Sequence, residues 1–331
     1  MMIGMTTEDY VAAELTAISP APFAFQLLLP GSWEVKQVNE QPLTADKPTI
    51  IAVFEPPMAT NISVQVIGIL LNNEISAAHW LEYYCSLSSW HVDTLQPIDP
   101  RRARASCFVR AEGHELRGLV TVTVNGDTLI LIQAFVPSSE FPALSDVVNT
   151  AVRSFRTEQV KRPNVIEDWS NFSLFQDIGF FFPASWHVNQ PQSGQADRMA
   201  IDFARTGSNG EILGFARLKA INAQQPVDLV QELGKTRREF EGSNIVFDTG
   251  ATSKAVTLDP PFIEATEVTV GAHTSESTDP LEFTALAMKT PSHVIISSIL
   301  GPDRKTSFYN WAVNMRAHEI ANASLQFKHQ S

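Results

Sequence analysis

Apolar and polar residues alternate with two different periods along this chain, and each period predicts a kind of element. Apolar residues recur at every second position in residues 62–69, which predicts a half-buried strand. They recur at spacings of three and four in residues 76–90 and 227–240, which predicts two helices. Asn125-Gly126, between two apolar runs, is typical of a tight hairpin turn.

The same order of elements occurs twice. Each half is predicted to contain three strands, a helix, three more strands and a final helix, at about 139–155 in the first half and 307–327 in the second. Residues 27–33 read LLLPGSW and residues 180–186 read FFFPASW, so a Pro-x-Ser-Trp motif follows an apolar strand in both halves. The sequence therefore predicts an internal duplication.

The repeat predicts two domains, residues 20–156 and 171–328, joined by a linker at 157–170. The linker contains the polar segment Lys-Arg-Pro-Asn at 161–164, and a proline in a polar stretch is typical of a domain boundary. Strands grouped without regular βαβ alternation favour antiparallel sheets. We predict an α+β fold of two similar domains, each an antiparallel sheet with helices covering one face.

Composition limits the classes of partner. The chain has 331 residues, 24 Lys and Arg and 36 Asp and Glu, and this net charge of -12 argues against nucleic-acid binding. The first half is the more acidic, so a basic partner is expected to contact it. No signal peptide and no apolar run of about 18 residues is found, so we expect a cytoplasmic protein without membrane insertion. Cys85 and Cys107 do not form a disulfide framework.

The sequence lacks the common catalytic and cofactor motifs. It has no Gly-x-Ser-x-Gly, no phosphate-binding loop with lysine and no Gly-x-Gly-x-x-Gly, and no two of its eight histidines have the spacing of a zinc protease. The run at residues 206–210 is rich in glycine and is predicted to be a hairpin turn. We therefore expect no catalytic site, no metal and no cofactor.

A strand that ends in Pro-x-Ser-Trp and opens a β-rich domain with two helices resembles the PsbP-like fold. The resemblance covers residues 23–156 and 173–328. It rests on the element order and on the two motifs, Pro30, Ser32 and Trp33, and Pro183, Ser185 and Trp186. The group includes the PsbP extrinsic protein of photosystem II, the Ran-binding Mog protein and bacterial DcrB-like proteins, among them the Eag chaperones of type VI secretion.

The resemblance implies protein binding rather than catalysis. Similarity to Eag chaperones implies that the chain cradles an apolar segment of a client protein. Because Eag chaperones act as dimers, a tandem chain is expected to work as a monomeric pseudo-dimer or as a homodimer. Pro30, Trp33, Pro183 and Trp186 are interpreted as structural residues, with the indoles packed in the domain cores.

The candidate client-binding residues are rows on predicted strands that mix apolar bulk with a hydrogen-bonding group. If one sheet face is left open by the helices, such a row suits an apolar segment that carries polar atoms. Burial of the same rows in the core, or between the two halves, is the alternative. The candidate residues are Leu131, Gln133 and Phe135 in the first half and Thr284, Leu286 and Met288 in the second.

The leading hypothesis is a non-catalytic adaptor or chaperone of a bacterial secretion or assembly system. It would bury an apolar segment of its client. The alternatives are a structural subunit of a larger complex, and a small-molecule binder or enzyme with a site between the domains.

Overall fold

Two domains make up the chain in the computed structural model, residues 1–166 and residues 167–331, here called domain 1 and domain 2. The predicted linker at 157–170 includes residues 160–163, which lie outside the described residues. The structure describes residues 10–15, 23–38, 43–45, 47–57, 62–111, 114–159, 164–189, 196–223 and 227–328.

Domain 1 combines a three-stranded and a seven-stranded antiparallel sheet with two helices. The sheets have the strand orders β1-β2-β10 and β3-β4-β5-β9-β8-β7-β6. The elements are β1 (Tyr10–Leu15), β2 (Phe23–Pro30), β3 (Glu34–Val38), β4 (Thr49–Glu55), β5 (Ser63–Leu70), α1 (Ala77–Leu87), β6 (His91–Asp99), β7 (Arg102–Ala111), β8 (His114–Asn125), β9 (Thr128–Pro137), α2 (Phe141–Ser154) and β10 (Arg156–Gln159).

Domain 2 repeats this arrangement. Its sheets have the strand orders β11-β12-β21 and β13-β14-β15-β20-β19-β18-β16, with β17 also paired to β18, so the two domains correspond position by position. The elements are β11 (Trp169–Leu174), β12 (Ile178–Pro183), β13 (His187–Asn189), β14 (Arg198–Thr206), β15 (Ile212–Asn222), α3 (Leu229–Glu241), β16 (Ile245–Phe247), β17 (Thr252–Ala255), β18 (Glu264–Thr274), β19 (Leu281–Lys289), β20 (His293–Pro302), α4 (Phe308–Ala323) and β21 (Gln326–Phe327). The predicted α+β class with two similar antiparallel domains is confirmed.

The large sheets are covered on both faces, not on one. In domain 1, Ile130 and Ile132 of β9 pack with α2 and β2, whereas Gln133 of the same strand faces Tyr84 of α1. Domain 2 repeats this pattern, because β19 contributes Leu286 to the core beneath α4 and Ala285 to the core beneath α3. Alternate residues of a central strand therefore enter two different cores.

Local sequence explains where the helices between the strands begin. The hydroxyl of Ser76 accepts a hydrogen bond from the backbone N–H of His79, 3.2 Å away, at the start of α1. At the start of α3 a carboxylate oxygen of Asp228 accepts from the N–H of Val230 at 2.9 Å. Each cap satisfies a backbone donor that would otherwise have no partner in the helix.

The Pro-x-Ser-Trp motif forms the same turn in both domains. The N–H of Trp33 donates to the carbonyl of Pro30 at 2.9 Å, and the N–H of Trp186 donates to that of Pro183 at 3.2 Å. Trp186 is 3% exposed and meets the ring of Phe182 edge-on at 5.1 Å. Trp33 is half-buried against the core of domain 1. The motif thus ends a strand and turns an indole toward the core.

Two further observations concern the cysteines and the helices. Cys85 and Cys107 are free and buried, and burial raises the pKa of each thiol to about 12. Within the described part of the chain, no helix combines the length and the apolar character needed to cross a membrane.

Candidate binding groove

A groove of about 700 Å³ lies on the α4 side of domain 2. Its floor is β19, one wall is α4, and the other wall is the connection between β17 and β18 at residues 258–262. We call it the α4 groove. Its lining residues are Leu258, Asp259, Pro260, Pro261, Phe262, Glu267, Thr284, Leu286, Met288, Met315, His318, Glu319, Asn322, Ala323 and Leu325.

The periods of the two elements explain which side chains reach the groove. Thr284, Leu286 and Met288 are two residues apart on β19, so they point to the same face of the sheet. On α4, Met315 and His318 are three apart and Asn322 follows four residues later, so the three side chains form one stripe. The groove lies where this stripe and this face meet.

The accessible apolar surface of the groove comes from its walls. Thr284, Leu286 and Met288 are buried at the bottom, where they also belong to the packing of the sheet. Phe262 and Met315 are half-buried, and both contact the domain core beneath. A segment placed in the groove would therefore remove wall side chains from water while resting on a fixed floor.

His318 supplies a buried polar group to the groove. Its Nε2 donates to the carbonyl of Ser297 at 3.2 Å, because a carbonyl oxygen can only accept. Burial lowers the pKa of His318, and the Ser297 carbonyl and the charge of Glu267 oppose this shift without cancelling it. The imidazole is therefore neutral at neutral pH, and it presents a fixed polar edge rather than a charge.

Asn322 lies one helical turn from His318 with its amide nitrogen 3.3 Å from Nε2. Two donors cannot share this contact, and the amide oxygen of Asn322 is buried with no partner among the described residues. Turning the amide by 180° would let its oxygen share the Nε2–H with the Ser297 carbonyl, but it would also place the amide N–H groups where the oxygen now has no partner.

The charged residues that line the groove are all acidic. They are Asp259, Glu267 and Glu319, and no Lys or Arg occurs among the lining residues in the described part of the chain. Cations approach two of these acids from outside the groove, with Lys254 Nζ 3.2 Å from Glu267 Oε1 and Arg316 Nη1 3.3 Å from Glu319 Oε2. The groove thus combines apolar walls with a rim of carboxylates, two of which are paired with cations.

The structure brings three of the six predicted client-binding residues together in this groove, namely Thr284, Leu286 and Met288. Whether they contact a client stays a prediction.

The other three predicted residues, on β9, lie beneath α1 and not on an open sheet face. Leu131 is fully buried. Gln133 Nε2 donates to Gln65 Oε1 at 2.8 Å, and the ring of Phe135 meets Trp90 at 4.7 Å. Because α1 covers this face, the two predicted rows lie on non-equivalent faces of the two domains. A client role for the β9 row also stays a prediction.

Other groove residues were not predicted from the sequence. The stripe of Met315, His318 and Asn322 could have been predicted from the helical spacing in residues 307–327. Phe262 had no such signal, because it belongs to an irregular connection without a period. No group of three or more His, Cys, Asp or Glu side chains that could hold a metal ion occurs among the residues that the structure describes.

Comparisons with known proteins give weak similarities only. No protein-family model and no curated protein matches the sequence. The solution structure of cyanobacterial PsbP (CyanoP) from Synechocystis sp. PCC 6803 is 14% identical, covers 47% of this chain and 96% of its own, and has a TM-score of 0.35.

Two further solved structures match over most of the chain. The apo immunity protein TplEi of the T6SS from Pseudomonas aeruginosa is 9% identical over 91% of this chain and 98% of its own, with a TM-score of 0.26. A chain of the Tle4–Tli4 complex is 7% identical over 86% and 96%, with a TM-score of 0.23. All three TM-scores are below 0.5, so these similarities carry no argument about function.

Proposed function

We propose that this chain is a protein-binding adaptor or chaperone whose α4 groove holds an apolar segment of a partner protein. The observation that carries the proposal is the composition of the groove, in which half-buried apolar walls meet a rim of carboxylates with no lining cation. Apolar walls favour a segment that loses water on binding. The rim favours Lys or Arg at the ends of that segment.

The partner is therefore expected to present a short apolar stretch flanked by basic residues. The sequence as a whole places more negative charge in the first half, but the acids that rim this groove belong to the second. The local charge of a binding site decides which segment docks, since charges farther away than a Debye length of about 8 Å are screened at physiological salt. We therefore assign the contact to domain 2.

The polar groups of the floor suit a segment that carries hydrogen-bonding atoms. Thr284 Oγ1 is 3.3 Å from Thr269 Oγ1, and the Thr284 hydroxyl can turn to meet a ligand in the groove. A role in a bacterial secretion or assembly system, with the client held until it is handed over, is part of this proposal. A permanent structural subunit is the alternative, and it would purify as a stable stoichiometric complex.

The test is peptide binding to the full chain, measured by fluorescence anisotropy. The probe is a labelled peptide of about a dozen apolar residues with two lysines at each end, and a matched peptide carries glutamates instead. We expect the lysine peptide to bind more tightly. Met315→Glu should weaken binding at least tenfold, which corresponds to about 1.4 kcal/mol.

The control is Val230→Glu, which changes an exposed apolar residue on α3, outside the groove. It should leave the affinity unchanged. Equal affinity for the two peptides, or equal loss in the two variants, would contradict the proposal. A far-UV circular dichroism spectrum of each variant separates loss of binding from loss of fold.

A further inference from the structure

A second cavity of domain 2, of about 890 Å³, is lined by a serine, a histidine and an aspartate that lie next to one another in that order. Ser292 Oγ is 2.9 Å from His293 Nδ1. On the other side of the ring, His293 Nε2 is 3.5 Å from Asp177 Oδ2. Ser292 is exposed, whereas His293 is buried. An accessible hydroxyl therefore meets a buried imidazole that is backed by a carboxylate.

The turn between β11 and β12 brings the carboxylate to the ring. Phe175 and Gln176 both have positive φ angles, 51° and 67°, which residues with side chains rarely adopt. This conformation stacks the ring of Phe175 on His293, with centroids 6.1 Å apart, and places Asp177 beside Nε2. Backbone strain of this kind is found preferentially at functional sites.

The hairpin between β19 and β20 holds the other two residues. The N–H of Thr290 donates to the carbonyl of His293 at 2.8 Å, and the N–H of His293 donates to Thr290 Oγ1 at 2.9 Å. The corresponding hairpin of domain 1 has only Gly126 and Asp127 between its strands, whereas this one has three residues. The serine therefore lies in a segment in which the two copies differ, and loops are where function diverges on a shared fold.

The Asp177 carboxylate favours the imidazole tautomer that carries its proton on Nε2, because Nε2 is the ring nitrogen that faces it at 3.5 Å. In that tautomer the lone pair of Nδ1 faces Ser292 Oγ and can accept its proton. The second carboxylate oxygen of Asp177 is buried with no donor among the described residues. A nucleophile, a base and a group that orients the base are the three parts that an activated serine requires.

We propose that Ser292 is a nucleophile that is acylated by small carboxylic esters, with His293 as its base and Asp177 as the residue that positions the imidazole. Ser292 Oγ forms a bond to the ester carbonyl carbon while its proton passes to His293 Nδ1. The tetrahedral adduct then breaks its bond to the alkoxy oxygen, which leaves as the alcohol with that proton. Water then attacks the acyl carbon while its proton passes to the same nitrogen. The bond between that carbon and Ser292 Oγ breaks, the acid leaves, and Oγ takes the proton back from Nδ1.

The cavity suits such a substrate. Pro261, Leu325 and Phe327 give it apolar walls for the acyl or alkyl group. Among the described residues that line it, Lys328 supplies a positive charge beside which negative charge could develop. The proposal does not rest on peptide binding, although the two cavities share Pro260, Pro261 and Leu325.

The experiment treats the full chain with p-nitrophenyl butyrate, follows nitrophenol release, and locates the butyryl group by mass spectrometry of peptides. We expect the modification on Ser292 and its loss in Ser292→Ala, which removes an exposed hydroxyl and no packing. His293→Gln, which keeps much of the side-chain volume, should slow release at least 100-fold. Ser253→Ala, at another exposed serine, is the matched control and should react normally.

A separate set of variants tests whether Asp177 positions the imidazole. Asp177→Asn should slow release about tenfold, because the imidazole loses the carboxylate that orients it. Asp177→Glu, which keeps a carboxylate, should retain more of the rate than Asp177→Asn; equal loss in the two variants would mean that the carboxylate does not position the imidazole. Release at the normal rate from Ser292→Ala, or a butyryl group found on Lys328 or spread over many residues, would overturn the proposal.

Discussion

Glu232 on α3 carries a buried charge of domain 2, and replacing it by glutamine tests whether that charge stabilises the domain. The side chain is 2% exposed, yet it is paired on two sides. Arg198 Nη1 donates to Oε2 at 2.9 Å and Nη2 donates to Oε1 at 3.3 Å, and Lys235 Nζ donates to Oε1. Burial raises the pKa of Glu232, but these hydrogen bonds lower it more, so it lies below the usual value.

Glu232→Gln keeps the shape of the side chain and removes its charge. Each charge-assisted hydrogen bond contributes about 1.5–3 kcal/mol to stability. The side chains of Arg198 and Lys235 are 29% and 37% exposed, so water replaces part of what they lose. We therefore expect the variant to lower the free energy of unfolding of domain 2 by about 2–3 kcal/mol at pH 7.

The effect has a defined dependence on pH. Because the pKa of Glu232 is lower in the folded than in the unfolded protein, its stabilisation is present above the unfolded value of about 4.3 and is lost as the pH falls through the folded value. Urea unfolding, fitted with one transition for each domain, should show the difference between wild type and variant at pH 7. The difference should shrink toward zero as the pH falls below about 4.

The matched control is Glu241→Gln at the end of the same helix. Glu241 is exposed and its Oε1 is 3.7 Å from Arg237 Nε, so its loss should cost less than about 0.5 kcal/mol. If Glu232→Gln costs no more than this control, or costs as much at pH 3 as at pH 7, the charge of Glu232 does not stabilise the domain.

Two further predictions concern packing and use thermal or urea unfolding. Trp186→Ala should lower the free energy of unfolding by about 3–5 kcal/mol, because the indole is buried against Phe182. Trp33→Ala should lower it by less than half as much, because Trp33 is half-buried. Equal losses in the two variants would contradict this difference in burial. Gly118→Ala should lower the free energy of unfolding by about 1–3 kcal/mol, since a Cβ there would lie 2.3 Å from the ring of Phe135, the residue opposite it on β9. Gly234→Ala, in a helix with open space around it, should instead stabilise by about 0.5–1 kcal/mol.

The elements with a clear period were predictable from the sequence. The alternating run at 62–69 is strand Ser63–Leu70, and the helical spacings at 76–90 and 227–240 are helices Ala77–Leu87 and Leu229–Glu241. The last helix was predicted to run to 327 but ends at residue 323. Gln326 and Phe327 pair with β12 as a short strand, and two residues are too few to show a period.

Strand His91–Asp99 was missed for a physical reason. It is an edge strand whose residues are exposed or half-buried throughout, so neither face shows an apolar period. It also contains Pro97, which is tolerated at a sheet edge but is typical of loops. The wall of the α4 groove at residues 258–262 was missed because an irregular connection has no period either.

The sequence contains a signal that both sheet faces are covered, but a search for alternating apolar and polar residues does not reveal it. The central strands β9 and β20 are almost entirely buried, and their sequences, TLILIQAFVP and HVIISSILGP, are runs of apolar residues rather than alternating ones. Such runs are typical of strands with a core on each side. A polar residue within such a run must then find a partner inside the protein, as Gln133 does with Gln65.

Ser297 and Ser298, adjacent in β20, are a matched pair for testing whether a buried hydroxyl needs a hydrogen-bond partner. Both are fully buried and on opposite faces, but Ser298 Oγ donates to the carbonyl of Arg217 at 3.3 Å, whereas Ser297 Oγ has no partner among the described residues. Ser298→Ala should therefore cost about 1 kcal/mol. The burial of the Ser297 hydroxyl is unfavourable because no hydrogen bond compensates for the lost water. Ser297→Ala should therefore leave the free energy of unfolding unchanged or raise it, as measured by urea unfolding. A larger cost for Ser297→Ala than for Ser298→Ala would mean that the hydroxyl of Ser297 has a partner in solution, for example a bound water.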